Sequence, residues 1–167
     1  IQRLVGSEMC IRDSPRIMNR IMNSASDLKS LIIQHAEDAE LSKDGMINDG
    51  IIATKLGLQG IPISAELLII ERDLTLLEYN NCRYHIAQIS SANSVDIIRE
   101  RKNKVNFSCG VSINNLSLNE NDIGNFKTFL KLSPPLRTEN DRNALVQGLN
   151  DKTCLLYTSP SPRDAES

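Results

Sequence analysis

The chain of 167 residues contains no tryptophan, and its aromatic content is only 4%. So few aromatic rings argue against a base-stacking surface for single-stranded nucleic acid and against a carbohydrate-binding platform. The 19 basic and 21 acidic residues are interspersed and give a net charge of −2, so no basic face for nucleic acid is predicted. No apolar run approaches the ~20 residues that span a bilayer. Because no secretory hydrophobic segment is found either, the cytoplasm is the expected compartment.

Paired cysteine motifs are also missing. The four cysteines are Cys10, Cys82, Cys109 and Cys154, and none of them forms a C-x-x-C pair. This excludes a zinc ribbon or a thioredoxin-type motif. Cys82 and Cys109 lie beside predicted strands, where a cytosolic cysteine is usually a buried, reduced thiol.

The composition that remains is that of a globular protein, with 40% hydrophobic and 24% charged residues. Residues 1–14 and 154–167 show no strand or helix periodicity that ties them to their neighbours. Both stretches look like translated sequencing-adapter read-through, and the alternative is a pair of ordinary flexible termini. We therefore expect artefactual or disordered tails there, and one partial domain over residues 15–153.

The interior alternates between strand and helix patterns. A helix is predicted over residues 16–29, and a second one follows Pro62 with Ser64 as its cap and an apolar stripe of Leu67, Ile70, Leu74 and Leu77. The charged residues of this second helix, Glu66, Arg72, Asp73 and Glu78, are expected to be mostly solvated. Ser91 and Asn93 are candidate caps for a further helix over residues 94–100. Strands are predicted at residue 31 onward and over 83–90, 105–112 and 126–132. Short connections between them favour a parallel α/β sheet with right-handed crossovers. The fold expected is a partial (β/α)8 TIM barrel of about four consecutive βα units, because a whole barrel needs ~250 residues.

Polar side chains follow each predicted strand. His35 ends the first, Gln88 the second, Asn114 the third and Ser133 the fourth. Because parallel strands deliver their carboxyl ends to one side of a barrel, we expect these four side chains to share a rim. Without further information, His35 is as consistent with a core histidine as with a metal ligand.

Three short segments resemble the dihydroorotases of the cyclic amidohydrolase superfamily: His35-Ala36-Glu37-Asp38, Ile113-Asn114-Asn115 and Ser133-Pro134-Pro135-Leu136-Arg137. The resemblance implies that His35 binds a catalytic zinc ion. It also implies departures, since Gln88 stands where the family has a second zinc-binding histidine and a glutamine amide is a weaker zinc ligand than imidazole. Asn114 and Asn115 replace loop histidines, and Ser133 replaces an asparagine.

Several of these residues have a structural alternative. Gln88 is interpreted as a strand-end amide that bonds to loop backbone, His85 as structural, and Asn115 as a turn residue. Asn114 and Ser133 are candidates for substrate binding, although Ser133 could equally cap the Pro-Pro turn. Arg137 could bind a substrate carboxylate, but an ion pair with Glu139 or Asp141 is favoured. A helix after Thr138-x-x-Asp141, a variant capping box, completes the pattern.

The resemblance implies reversible hydrolysis of dihydroorotate to N-carbamoyl-aspartate in pyrimidine biosynthesis. No catalytic residue is assigned within the chain, because the family's amino-terminal His-x-His strand and its catalytic aspartate have no counterpart in it. The substituted ligand positions raise the alternative of a non-catalytic homologue that scaffolds aspartate transcarbamoylase, and a homo-oligomer is also compatible. A hydantoinase-type enzyme is a third possibility.

Overall fold

The computed structural model describes residues 3–4, 14–125 and 127–157. In this part of the chain the strands are β1 (Arg3–Leu4), β2 (Leu31–Gln34), β3 (Ile47–Asn48), β4 (Gly60–Ile61), β5 (Arg83–Ile86), β6 (Phe107–Ser112) and β7 (Leu155–Tyr157). The α-helices are α1 (Pro15–Asp27), α2 (Ile51–Leu56), α3 (Ser64–Leu77), α4 (Ala92–Arg101), α5 (Ile113–Ser117) and α6 (Glu139–Asn150). Single 3₁₀ turns occupy Glu120–Ile123 and Thr128–Leu130.

Within the described residues, one sheet has the strand order β1-β2-β5-β6-β7, and every neighbouring pair is parallel. Each of the first four strands of this sheet is followed by a helix on the way to the next, namely α1, α3, α4 and α6. Strands β3 and β4 form a separate two-stranded parallel ribbon within the β2–α3 connection. Consecutive parallel strands with helical crossovers confirm the predicted partial βα barrel.

The main core lies between the sheet and its helices. Ile32 of β2 and Ile86 of β5 are buried on the sheet face that packs against them. Helix α3 buries three residues of the predicted apolar stripe, Ile70, Leu74 and Leu77, whereas the fourth, Leu67, is only half-buried. Side chains of this size each contribute roughly 1.5–3 kcal/mol when they are fully buried. The alternating residues of β2 are only half-buried, because they face the interior of the unfinished barrel.

Side-chain caps define the starts of the helices. Ser91 caps α4 and Thr138 forms a capping box with Asp141 at α6, as predicted. Asp141 also reaches the neighbouring helix, because its Oδ1 accepts a hydrogen bond of 2.8 Å from the amide of Ala92 at the start of α4. The predicted cap at Ser64 is wrong: α3 begins at Ser64 itself and lacks a side-chain cap bond, because residues 62–65 already turn helically.

The strand predicted over residues 126–132 is wrong. Phe126 lies outside the described residues, and Thr128–Leu130 form a 3₁₀ turn. The apolar residues of this segment have another role, since Leu130 and Leu132 pack against a second hydrophobic cluster beside the two-stranded ribbon, while Phe129 is 75% exposed. The edge of β6 that this segment was expected to cover pairs with β7 instead.

Short strands lie within both of the terminal stretches, residues 1–14 and 154–167, that were expected to be artefactual or disordered tails. Residues 3–4 pair with Leu31 and Ile32, and Leu155 pairs with Gly110. The physical reason is that the edges of a parallel sheet carry unpaired backbone groups, which an extended neighbour satisfies. Residues 5–13 and 158–167, and with them Cys10, lie outside the described residues.

The three cysteines that the structure describes are buried free thiols, as predicted for Cys82 and Cys109. Burial raises the pKa of the Cys82 thiol, which keeps it protonated and unreactive. Of the helices in the described residues, none has the length and hydropathy that a membrane span requires.

Candidate functional site

His35 lies just beyond the carboxyl end of β2, where three polar side chains meet. Its Nε2 is 3.0 Å from Glu37 Oε2 and 3.1 Å from Ser133 Oγ. The Ser133 hydroxyl in turn donates a hydrogen bond of 2.6 Å to the same oxygen of Glu37. We call these three side chains the rim triangle. The structure thus brings together two of the residues that the sequence assigned to the site, although they are 98 positions apart.

The electrostatics of the rim triangle favour an ionised Glu37. Its hydrogen bond with His35 is the main reason that its pKa is lowered to about 2, with burial opposing this effect and Ser133 adding to it. The side chains of His35 and Glu37 remain 30% and 20% exposed, so the triangle is accessible from solvent. Because the Glu37 side chain is partly exposed, a polar ligand can reach its carboxylate.

The other predicted rim residues have different positions. Gln88 is half-buried after β5, and Asn114 is exposed in α5, which directly follows β6. Among the described residues, no hydrogen bond joins either side chain to the rim triangle. Asn115 is not a turn residue: it lies in α5, is buried, and donates a hydrogen bond of 3.1 Å to the carbonyl of Pro135. It therefore holds the Pro-Pro turn, whose Ser133-Pro134 peptide bond is cis.

A buried carboxylate below the rim was missed by the sequence analysis, which placed Glu66 in solvent. Glu66 is 2% exposed, and its two oxygens accept hydrogen bonds of 3.0 and 3.1 Å from the amide of Ser90. The hydroxyls of Ser90 and Ser94 also donate to it. A usable signal existed, because residues 66, 70, 73 and 77 follow helical spacing and the apolar members of that series were already assigned to the core.

Arg137 is joined to this buried carboxylate network through Ser90. It is 3% exposed and donates to Ser90 Oγ (3.1 Å), Asn48 Oδ1 (2.7 Å) and the carbonyl of Ile61 (2.6 Å). Burial lowers the pKa of the guanidinium, and the charge of Glu66 acts in the opposite direction. The predicted ion pair with Glu139 is wrong, since Glu139 pairs with Arg142 on its own helix, and Asp141 serves as a cap instead.

A second buried carboxylate supports β5 from α3. Asp73, also expected to be solvated, is fully buried, accepts a hydrogen bond of 2.5 Å from the Tyr84 hydroxyl and pairs with Arg72 at 2.7 Å. Burial raises the pKa of both Asp73 and Tyr84. His85, interpreted as structural, is 2.7 Å from Ser108 Oγ through Nδ1, which joins β5 to β6 on the barrel-interior face.

The rim residues differ in their chemistry from those of a zinc site. Zinc sites in proteins use three or four side-chain ligands, mainly histidine, cysteine and carboxylate. Within residues 14–125 and 127–157, no group of three or more such side chains is arranged to hold a metal ion. Only His35 and Glu37 meet, and amides stand at Gln88 and Asn114. The described residues therefore do not make up a zinc site.

Comparison with solved structures identifies the fold. An L-hydantoinase (dihydropyrimidinase) from Arthrobacter aurescens superposes with a TM-score of 0.73 over 87% of this chain and 33% of that chain, at 20% sequence identity. This likeness shows the fold, which is part of a TIM barrel.

Sequence comparison identifies the family of the chain. The family model described as Dihydro-orotase-like matches residues 4–94, more than half of the chain. A dihydroorotase from Ehrlichia canis (strain Jake) is 41% identical over 136 residues, covering 80% of this chain and 30% of the relative. A dihydroorotase from Thermoanaerobacter sp. (strain X514) is 42% identical over 141 residues, with coverages of 84% and 33%. The chain belongs to the Dihydro-orotase-like family, and it spans about a third of the length of the curated relatives it matches.

Proposed function

We propose that this chain supplies consecutive βα units to the barrel of a dihydroorotase-type hydrolase. The observation that carries the proposal is the family match together with relatives named dihydroorotase at 41% and 42% identity. The reaction would be reversible hydrolysis of dihydroorotate to N-carbamoyl-aspartate, a cytoplasmic step of pyrimidine biosynthesis. In the hydrolytic direction water adds to the ring carbonyl carbon, the carbon–nitrogen bond breaks, and the nitrogen takes a proton.

The role of this chain in that reaction is to present polar groups at the barrel rim. The Ser133 hydroxyl and the Asn114 amide are suited to hydrogen bonds with the carbonyl and amide groups of a cyclic substrate. Dihydroorotase resemblance implies zinc with His35 as one ligand. Because the described residues do not complete such a site, no step of the reaction is assigned to a metal here.

The test uses the full-length parent protein. Dihydroorotate hydrolysis and carbamoyl-aspartate cyclisation are measured in the wild type, in Ser133→Ala, and in Glu40→Ala as a matched control on an exposed part of the rim. We expect turnover in the wild type, a several-fold rise in KM for Ser133→Ala, and no change for Glu40→Ala. Turnover of hydantoin but not of dihydroorotate would support the hydantoinase-type alternative.

A second candidate function follows from the amides at Gln88, Asn114 and Asn115. A homologue that lacks zinc-binding histidines could act as a non-catalytic scaffold for aspartate transcarbamoylase or form a homo-oligomer. Full-length protein with no bound metal and no turnover, but with co-purifying aspartate transcarbamoylase, would favour this function over the first.

A further inference from the structure

The Pro-Pro turn that carries Ser133 depends on side chains for its orientation. Pro134 and Pro135 have no amide hydrogen to donate, and among the described residues no hydrogen bond between main-chain groups involves residues 133–136. Leu136 is buried in the second hydrophobic cluster, but apolar contacts have no preferred direction. The place of the Ser133 hydroxyl at the rim is therefore set by polar side chains that reach the turn.

The carboxyl end of β5, by contrast, is fixed by its backbone. The amide of Ala87 donates a hydrogen bond of 2.8 Å to the carbonyl of Gln34, at the end of β2. The amide of Ile89 donates one of 3.0 Å to the carbonyl of Gly110 on β6. Ser90 follows directly, so its position is set by the sheet on both sides.

The Ser90 hydroxyl joins the turn to the end of β5. It is fully buried, donates a hydrogen bond to Glu66 on α3, and accepts one of 3.1 Å from Nε of Arg137, at the end of the turn. Bonds to ionised partners are stronger than bonds between neutral groups. The other acceptors of Arg137, Asn48 Oδ1 and the carbonyl of Ile61, belong to the two-stranded ribbon. Ser90 is thus the residue through which the guanidinium contacts the main sheet.

We propose that the Ser90 hydroxyl is a positioning group of the rim, which through Arg137 holds the Ser133 hydroxyl at a fixed place relative to the end of β5. The importance of this place for a substrate rests on the proposed function, in which Ser133 bonds to the cyclic amide. Ser90 is itself buried and acts only through the turn. Because Asn115 and the ribbon hold the turn independently, loss of the Ser90 hydroxyl should displace Ser133 without unfolding the chain.

Ser94 provides the matched control for Ser90. Its hydroxyl is equally buried and donates to the same carboxylate of Glu66, but in the described part of the chain no hydrogen bond joins it to Arg137. Replacement of either serine by alanine removes one hydroxyl donor from Glu66. Only Ser90→Ala also removes the tie to the turn, so a difference between the two variants at the rim reports that tie.

The first measurement is NMR of the 167-residue chain labelled with ¹⁵N. The Arg137 Nε–H signal, assigned through its own backbone amide, and the Ser133 amide are compared in wild type, Ser90→Ala and Ser94→Ala. We expect Nε–H exchange with solvent to be about tenfold faster in Ser90→Ala, with a shift change at the Ser133 amide, and neither change in Ser94→Ala. Unchanged signals in Ser90→Ala, or equal changes in both variants, would overturn the inference. Should Ser90→Ala not fold, Ser90→Cys gives the same test, because a thiol is a weak hydrogen-bonding group.

The second measurement is the kinetics of the full-length parent with dihydroorotate. We expect a several-fold rise in KM for Ser90→Ala with little change in kcat, and a KM for Ser94→Ala within about twofold of the wild type. Ser90→Ala should add nothing to the KM of Ser133→Ala, since both act through one hydroxyl. Effects that multiply in the double variant would contradict the positioning role. A parent that does not turn over dihydroorotate would refute the proposed function, and the NMR result would then decide the inference by itself.

Discussion

Two polar clusters at the carboxyl ends of the strands differ in what they expose. The network of Glu66, Ser90 and Arg137 is buried, and each of its charged groups has several fixed partners. The rim triangle of His35, Glu37 and Ser133 is partly open to solvent. Because the first cluster is buried, a charge that loses its partner there cannot be hydrated. Substitutions in this cluster should therefore lower the free energy of unfolding strongly. The side chains of the exposed cluster can exchange their partners at a small free-energy cost, which catalysis or ligand binding requires.

The largest expected effect comes from Glu66→Ala. The substitution leaves the Ser90 amide and the Ser90 and Ser94 hydroxyls without their acceptor and removes the negative charge that favours the buried Arg137 cation. Unfolding should therefore become easier by about 3–5 kcal/mol. Urea denaturation followed by circular dichroism measures this change. Glu71→Ala, on an exposed face of the same helix, is the control and should change stability by no more than about 0.5 kcal/mol. Equal effects of the two substitutions would refute the contrast between buried and exposed clusters.

Tyr84→Phe should have an intermediate effect. It removes the hydroxyl that donates to buried Asp73 and should cost about 1–3 kcal/mol. The matched control is Tyr79→Phe, because Tyr79 is 85% exposed and should lose almost nothing. Thermal unfolding of both variants decides the point: a loss in Tyr79→Phe as large as that in Tyr84→Phe would mean that burial is not the cause.

Ser133→Ala should change stability less than Glu66→Ala or Tyr84→Phe. The variant loses hydrogen bonds at a site that water can reach, so less than about 1 kcal/mol is expected in urea denaturation. A loss comparable to that of Glu66→Ala would show that the rim triangle is an architectural element like the buried network.

The pH dependence of stability tests His85, which is half-buried and lies outside both clusters. Burial lowers the pKa of His85 below its ordinary value of 6.5. The unfolded chain then binds a proton more readily than the folded one, so this contribution to stability is lost as the pH falls from about 6.5 towards the lower folded pKa. Urea midpoints measured from pH 7.5 down to pH 5.5 should decrease, and His85→Gln should decrease less. An equal decrease in both proteins would exclude His85 as the source.

The parts of the fold that follow from periodicity were predictable from sequence. The stripe of Ile70, Leu74 and Leu77 and the cap at Ser91 depend on local patterns, and the structure confirms both. The strand predicted over residues 126–132 was wrong because a run of apolar residues indicates burial, while a strand also needs a free neighbouring edge to pair with. That edge was taken by residues far along the chain.

The candidate site shows the same limit. Strand order placed His35 and Ser133 on one rim, and they do meet. Glu66 and Asp73 were assigned to solvent because charge was given more weight than their helical spacing. Their partners, Ser90 and Tyr84, come from another element, so only tertiary structure shows that the desolvated carboxylates are compensated.

The double role of Asp141 has a consequence for how the molecule opens. One oxygen of its carboxylate completes the capping box of α6, and the other binds the first amide of α4. Fraying at the start of either helix would therefore remove a hydrogen-bond partner from the start of the other helix. Backbone amides in the first turns of α4 and α6 should exchange with solvent deuterium at matching rates, as members of one cooperative unit, although some forty residues of chain separate them.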